Sequence, residues 1–161
     1  MWQNLIETLD KLGGVYDDLA TLGEKKRSAL INSDMKKLSD LLDEEKILAT
    51  EIQKLEQNRI ELFNDLSKSN INLNESPTAK AFYRSAPSQV VEEKLFALHE
   101  RLVKNVQRAL KLRDDNQVLA QVASDAAQKM LNKIGGATVE PTYSGKGAGI
   151  VTHQKNFDFM A

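Results

Sequence analysis

The segment LSDLLDEEKILATEIQKLEQNRIELFNDL, which runs from Leu38 to Leu66, decides the fold of this chain. It keeps a seven-residue hydrophobic repeat whose seam positions alternate three and four residues apart, so all of them lie on one stripe of a helix. The seam positions are Leu38, Leu41, Glu45, Leu48, Ile52, Leu55, Arg59, Leu62 and Leu66. We therefore predict long helices packed side by side, with no cleft built for chemistry.

Two charged residues, Glu45 and Arg59, stand in this seam where an apolar side chain would pack best. They are two heptads apart, about 21 Å at the helical rise, so they cannot pair with each other. Each must reach solvent or pair with another helix, where an ion pair sets the register more than it adds stability. The candidate partners are Lys26 and Arg113 for Glu45, and Glu7 and Glu100 for Arg59.

The composition is typical of a single domain with a tail. The 161 residues include 23 acidic and 22 basic side chains, and the net charge of −1 argues against a nucleic-acid or anionic-membrane partner. The absence of Cys excludes disulfides and argues against a structural zinc site. We see no signal-peptide pattern, and no stretch reaches the roughly 18 apolar residues that span a bilayer, so we expect a soluble cytoplasmic protein.

Break signals divide the chain into three long helices at about residues 2–31, 34–68 and 88–134. Asn32, Ser33 and Asp34 form a stop-and-restart signal, in which Asn32 or Ser33 can cap the second helix. The short gap favours an antiparallel hairpin, although one continuous kinked helix also fits the pattern. Gly23 lies in the seam of the first helix, where the missing side chain lets another helix come close. Gly13 and Gly14 can mark a bend.

Residues 69–87 have the composition of a connector. Ser76 as the cap and Pro77 at the first helical position predict a short helix that runs through Tyr83. Phe82 and Tyr83 are expected to hold this connector against the bundle. The predicted fold is all-α: an elongated antiparallel bundle of three long helices over residues 1–134, with a short connector helix and a C-terminal tail over residues 135–161.

The third long helix spans about 70 Å and must project beyond its shorter partners. Its last third keeps an apolar face with no partner within the chain, formed by Leu119, Val122, Ala126, Met130 and Ile134. The tail that follows holds five of the eight Gly residues and the aromatic residues Tyr143, Phe157 and Phe159. We expect this tail to be mobile unless a partner orders it. The apolar face and the tail are the candidate working surface.

Catalysis has little support in the sequence. The two histidines, His99 and His153, lie far apart, and His99 fits a surface or partly buried position on a helix. The stretch from Ser144 to Gly147 resembles a phosphate loop only in part, because no strand precedes it and Gly147 stands where Ser or Thr is required. We therefore predict no catalytic residues, no cofactor and no metal site. The pocket with clustered ionisable groups that an enzyme needs is not visible in the sequence.

Several short features, in this order, resemble the FlgN family of flagellar export chaperones. They are Lys25-Lys26-Arg27, Ala29-Leu30, the break at residues 32–34, Leu38, Leu41-Leu42, Glu45, Leu48, Leu55-Glu56, Arg59, Asn116, Leu119, Tyr143, Gly145 and Gly147. The resemblance covers about residues 5–147 and leaves out the final dozen. It implies a non-enzymatic cytoplasmic chaperone that binds the C-terminal helices of hook–filament junction (hook-associated) proteins and delivers them for export.

By the same resemblance, the binding surface is the end of the third long helix together with the tail. The resemblance also implies that Tyr143 docks to the export-gate membrane protein of the flagellar apparatus. A coiled-coil adaptor that forms a homodimer through the same seams, with no export role, is the alternative. A membrane-surface helix fits less well, because the polar faces mix both signs of charge.

Overall fold

The computed structural model describes residues 1–69 and 78–135, and all regular secondary structure in these ranges is helical. The helices are α1 (Trp2–Ile31), α2 (Met35–Lys68), α3 (Ala79–Tyr83) and α4 (Gln89–Gly135). The all-α class with three long helices and one short helix is confirmed. Most of the predicted tail, residues 136–161, lies outside the described residues, and the division into bundle and tail stays a prediction.

Helices α1 and α4 run parallel to each other. Arg101 donates to Asp10 at 2.8 Å. Thirteen residues later on α1 and fifteen residues later on α4, Asn116 donates to the carbonyl oxygen of Gly23 at 2.8 Å. These pairs are 91 and 93 residues apart in sequence, and a nearly constant offset is the mark of a parallel pair. The offset also shows which residues of α4 lie level with the end of α1.

Helix α2 returns antiparallel along α1. Asn58 donates to Thr8 at 3.0 Å near one end, and Lys26 pairs with Glu45 at 2.6 Å near the other, so rising numbers on α1 meet falling numbers on α2. One continuous kinked helix is therefore ruled out. With α1 up, α2 down and α4 up, the predicted antiparallel bundle is confirmed.

The turn between α1 and α2 is closed by Ser33, which adopts a left-handed φ of 53°. The N–H of Asp34 donates to the carbonyl oxygen of Ala29 at 2.9 Å, the bond that ends many helices. The carboxylate of Asp34 then accepts from the N–H of Lys37 at 3.0 Å. Asp34 is thus the cap of α2, and the predicted cap at Asn32 or Ser33 is wrong because Ser33 is used to close the turn.

Gly23 lies at a close approach of α4 to α1. A Cβ atom on Gly23 would stand 3.1 Å from the Cβ of Leu112, and the amide of Asn116 reaches the Gly23 carbonyl oxygen. The predicted close approach is confirmed. At Gly13 and Gly14, by contrast, α1 continues as helix without a break.

The short helix α3 closes the end of the bundle at which α1 begins. Phe82 and Tyr83 are 0% and 2% exposed, and the ring of Phe82 stacks on Phe63 with centroids 4.0 Å apart. The ring centroid of Trp2 lies 5.2 Å from that of Phe82. The predicted role of Phe82 and Tyr83 in holding the connector is therefore confirmed.

The start of α3 differs from the prediction. α3 begins at Ala79, and the hydroxyl of Thr78 accepts from the N–H of Ala81 at 3.2 Å. A cap side chain reaches the N–H three residues further on, so Thr78 occupies the position predicted for Ser76. Ser76 and Pro77 lie outside the described residues.

A cluster of ionisable side chains lies behind α3, with members from all four helices. Its members are Tyr16, Glu56, Arg59, Tyr83 and His99. Arg59 donates to Glu56 at 2.9 Å, and the hydroxyl of Tyr83 lies 3.2 Å from Nδ1 of His99. Burial raises the pKa of the Glu56 carboxyl, and burial also raises the pKa of Tyr83 to about 12. The cluster was not visible in the sequence, because most of its members lie far apart along the chain and meet only in the fold.

The ion-pair partner of Arg59 differs from Glu7 and Glu100, the two candidates named from the sequence. Arg59 pairs with Glu56, one helical turn earlier on the same helix. Glu56 is only 5% exposed, so water does not reach its carboxylate and a nearby cation must compensate the buried charge. Glu7 and Glu100 are both exposed to solvent.

His99 is 7% exposed and thus more deeply buried than the sequence indicated. Burial first, and then the nearby cations Lys80 and Arg59, lower the pKa of His99 from 6.5. Because the unfolded chain binds the proton more tightly, the free energy of unfolding should fall as the pH drops through 6.5 towards the lower folded-state pKa.

Urea unfolding at pH 8 to pH 5, of the chain and of His99→Gln, tests this linkage. The difference in free energy of unfolding between the unchanged chain and His99→Gln should shrink as the pH falls. Glu56 changes the stability with pH in the opposite direction, but it is present in both proteins, so its effect cancels in this difference. Parallel curves for the two proteins would contradict the prediction.

Candidate functional site

Helix α4 projects beyond the end of α1. The offset of 93 residues places Ile31, the last residue of α1, level with Ser124. Residues 125–135 therefore extend past the end of α1 by about 16 Å at 1.5 Å per residue. This projection lies at the end opposite to α3, because α3 packs where α1 begins.

The predicted site residues on α4 lie on one face of this end of the helix, at spacings of three and four residues. Leu119 is half-buried, whereas Val122, Met130 and Ile134 are 61%, 67% and 80% exposed. Ala126 is exposed as well. Tyr143, the sixth predicted residue, lies outside the described residues. The apolar face thus begins at the edge of the bundle and continues into solvent.

Exposed large hydrophobic side chains concentrate at this end of the molecule. Of the twelve in the described residues, eight lie here: Ile31, Met35, Leu42, Val118, Val122, Met130, Leu131 and Ile134. A concentration of large exposed apolar side chains is typical of interaction sites on soluble proteins. The surface therefore includes the first turns of α2 as well as α4.

A groove runs between α2 and α4, with α1 as its floor. It has a narrow part of about 70 Å³ and a wider part of about 360 Å³ towards the projecting end of α4. The two parts share Lys26, Glu45, Ala49, Arg113 and Asn116. The wider part is also lined by Leu30, Leu38, Leu42, Lys46, Gln117 and Ala120.

The charged residues of the groove are mostly basic. Lys26 pairs with Glu45 at 2.6 Å, which confirms Lys26 as a partner of Glu45. Arg113, the other candidate partner, lines the same groove but donates to Asp114 at 2.9 Å. With Lys46 on the opposite wall, three cations and one carboxylate line the wider part.

This groove was not predicted from the sequence. The signal was a second line of residues seven apart, beside the seam of α2, which includes Met35, Leu42 and Ala49. A second line next to a seam widens the face that a helix can bury. Within residues 1–69 and 78–135 no long helix lies over that wider face, because α4 packs mainly along α1.

The ionisable cluster behind α3 does not form part of this surface. None of its five members lines the groove. Among residues 1–69 and 78–135 no three His, Cys, Asp or Glu side chains are grouped so as to hold a metal ion. No helix in the same ranges has the length and apolarity to cross a membrane.

The chain was compared with known protein families, curated proteins and solved structures, and one family matches. Residues 1–149 match the family described as FlgN protein. The chain belongs to the FlgN family. No curated protein and no solved structure matches it significantly. As a FlgN protein it is a member of a family of flagellar export chaperones, which bind flagellar proteins and act in flagellum biogenesis.

The FlgN match covers the whole of α4, with its exposed face, and continues past it. It also includes Tyr143 and leaves residues 150–161 outside, which agrees with the extent of the resemblance seen in the sequence. The family is one of chaperones rather than enzymes. For this FlgN chain, the projecting face of α4 is thus the surface to consider first.

Proposed function

We propose that this FlgN-family chain binds the C-terminal amphipathic helices of hook–filament junction proteins in the cytoplasm. It keeps these helices from associating early and delivers the subunits to the export-gate membrane protein. The contact surface is formed by Leu119, Val122, Ala126, Met130 and Ile134 on α4, and Tyr143 contacts the export gate. No catalytic step and no cofactor takes part.

The observation that carries this proposal is the projecting end of α4, whose apolar face is open to solvent. An amphipathic helix laid on that face would cover it, in the mode in which many proteins bind helices. Burial of an aliphatic side chain stabilises by about 1.5–3 kcal/mol, so Val122, Met130 and Ile134 together offer roughly 5–9 kcal/mol.

Part of this free energy is lost to ordering on association. With further contacts from the partner, the net value fits a micromolar complex, for which the free energy of binding is about −8 kcal/mol. An affinity of this size is strong enough for a chaperone to hold its subunit and weak enough for it to release the subunit for export.

Titration calorimetry tests the proposal with peptides from the C-terminal helices of the two hook–filament junction proteins. The full chain should bind one of them with micromolar or tighter affinity. A chain truncated after Ile134 should bind more weakly, because the tail contributes to the surface. Failure of both chains to bind, at concentrations where each is folded and monomeric, would contradict the proposal and favour the coiled-coil adaptor.

A further inference from the structure

We infer that the groove between α2 and α4 continues the partner-binding surface of α4 and takes an amphipathic helix whose apolar stripe is flanked by carboxylates. The inference rests on the proposed function, and it assigns a second part of the site and a charge pattern to the partner. The occupant is a helix of the exported subunit.

The groove and the projecting face are continuous along one line of α4. Ala120 lines the wider part of the groove, and Ala123, Ala127 and Met130 follow it at spacings of three and four residues. This line continues the seam that packs on α1 nearer the start of α4. A partner helix that packs along these small residues on the projecting end would therefore also lie over the groove.

The size of the groove determines how a helix can occupy it. A helix with its side chains is about 10–12 Å wide, too wide for a space of about 360 Å³. The partner therefore lies over the groove and inserts the side chains of one face between Leu42 of α2 and Ala120 of α4. Leu42 is 41% exposed in the free chain and would be covered.

The charge of the groove walls indicates what flanks the apolar stripe of the partner. Lys46 stands on the α2 wall and Arg113 on the α4 wall, while Lys26 between them is already paired with Glu45. The carboxylates beside Lys46 and Arg113, those of Asp43 and Asp114, lie on the same helices with 73% and 64% of their side chains exposed. Such exposed pairs contribute little, so carboxylates of a partner can compete for both cations.

Two variants of the full chain test the inference by calorimetry with the junction-protein peptides. Ala49→Phe fills the narrow part of the groove with an apolar ring and should weaken binding at least tenfold. Lys46→Glu removes a cation that is 80% exposed and should weaken binding up to about fivefold at low salt, with the effect lost at high salt. Ala97→Phe and Lys54→Glu, the same changes at exposed positions away from the groove, should bind as the unchanged chain does.

The outcomes separate the inference from the proposed function. Wild-type affinity in both groove variants, together with loss of binding in a variant of the projecting face, would overturn the inference and leave the proposed function standing. No binding by the unchanged chain would overturn both. If Ala49→Phe instead converts a dimer of the free chain to a monomer, the occupant is a second copy. If truncation after Ile134 tightens peptide binding, the occupant of the groove in the free chain is its own tail. Each of these two results, the loss of a dimer or the tighter binding, would overturn the assignment of the groove to the exported subunit.

Because Lys46 is exposed on the surface of α2, Lys46→Glu keeps the inference testable even if Ala49→Phe fails to fold.

Discussion

Replacing Met130 and Ile134 together by Asp is expected to abolish binding of the junction-protein helices and leave the bundle folded. Both side chains project past the end of α1 and are 67% and 80% exposed, so neither contributes to the core. In the complex each Asp would place a carboxylate against the apolar stripe of the partner, which costs free energy unless it is paired. The burial of each aliphatic side chain that is lost contributes about 1.5–3 kcal/mol, so the dissociation constant should rise at least about 100-fold.

Calorimetry with the peptides and thermal unfolding by circular dichroism measure the two halves of this prediction. The matched control is the double variant Ile47→Asp and Val90→Asp. These residues are 69% and 74% exposed but lie away from the end of α4, so their replacement should leave the affinity unchanged. Intact binding by the Met130 and Ile134 variant would remove α4 as the site. A large fall in its melting temperature would show that the projecting end is part of the folded core after all.

Replacing Phe82 by Ala is expected to lower the free energy of unfolding by one of the largest amounts that a single substitution in this bundle can cause. Phe82 is fully buried, and its ring contacts Phe63 at 4.0 Å and Trp2 at 5.2 Å between centroids. Phe→Ala changes in cores cost about 3–5 kcal/mol. The five residues of α3 are too few to form a stable helix alone, so the helix depends on this contact.

Urea unfolding followed by circular dichroism gives the free energy of unfolding for this comparison. Ala81→Gly is the control, since Ala81 is exposed on α3 and its replacement should cost only about 1 kcal/mol in helix propensity. A loss below about 1.5 kcal/mol for Phe82→Ala would mean that α3 is not held by its aromatic side chains. Because α3 lies at the opposite end from the projecting face, the folded fraction of Phe82→Ala should bind the peptides with unchanged affinity.

The helices and the exposed face of α4 follow from patterns that are local in the sequence. The heptad seam from Leu38 to Leu66, the break at residues 32–34 and the length of α4 each depend on neighbours within one or two turns. The same holds for the apolar line from Leu119 to Ile134, whose spacing puts it on one face whatever lies beside it. Membership of the FlgN family follows from the same residues in order along the chain.

The tertiary structure alone decided which side chains meet between helices. The parallel offset of about 92 residues between α1 and α4 has no local signal, and it determines both the groove and the extent to which α4 projects. Arg59 pairs with Glu56, and His99 is buried against Tyr83, because packing against α3 removes water from that level of the bundle. A heptad pattern states which face of a helix is buried; the partner, register and depth of burial depend on how several faces fit together.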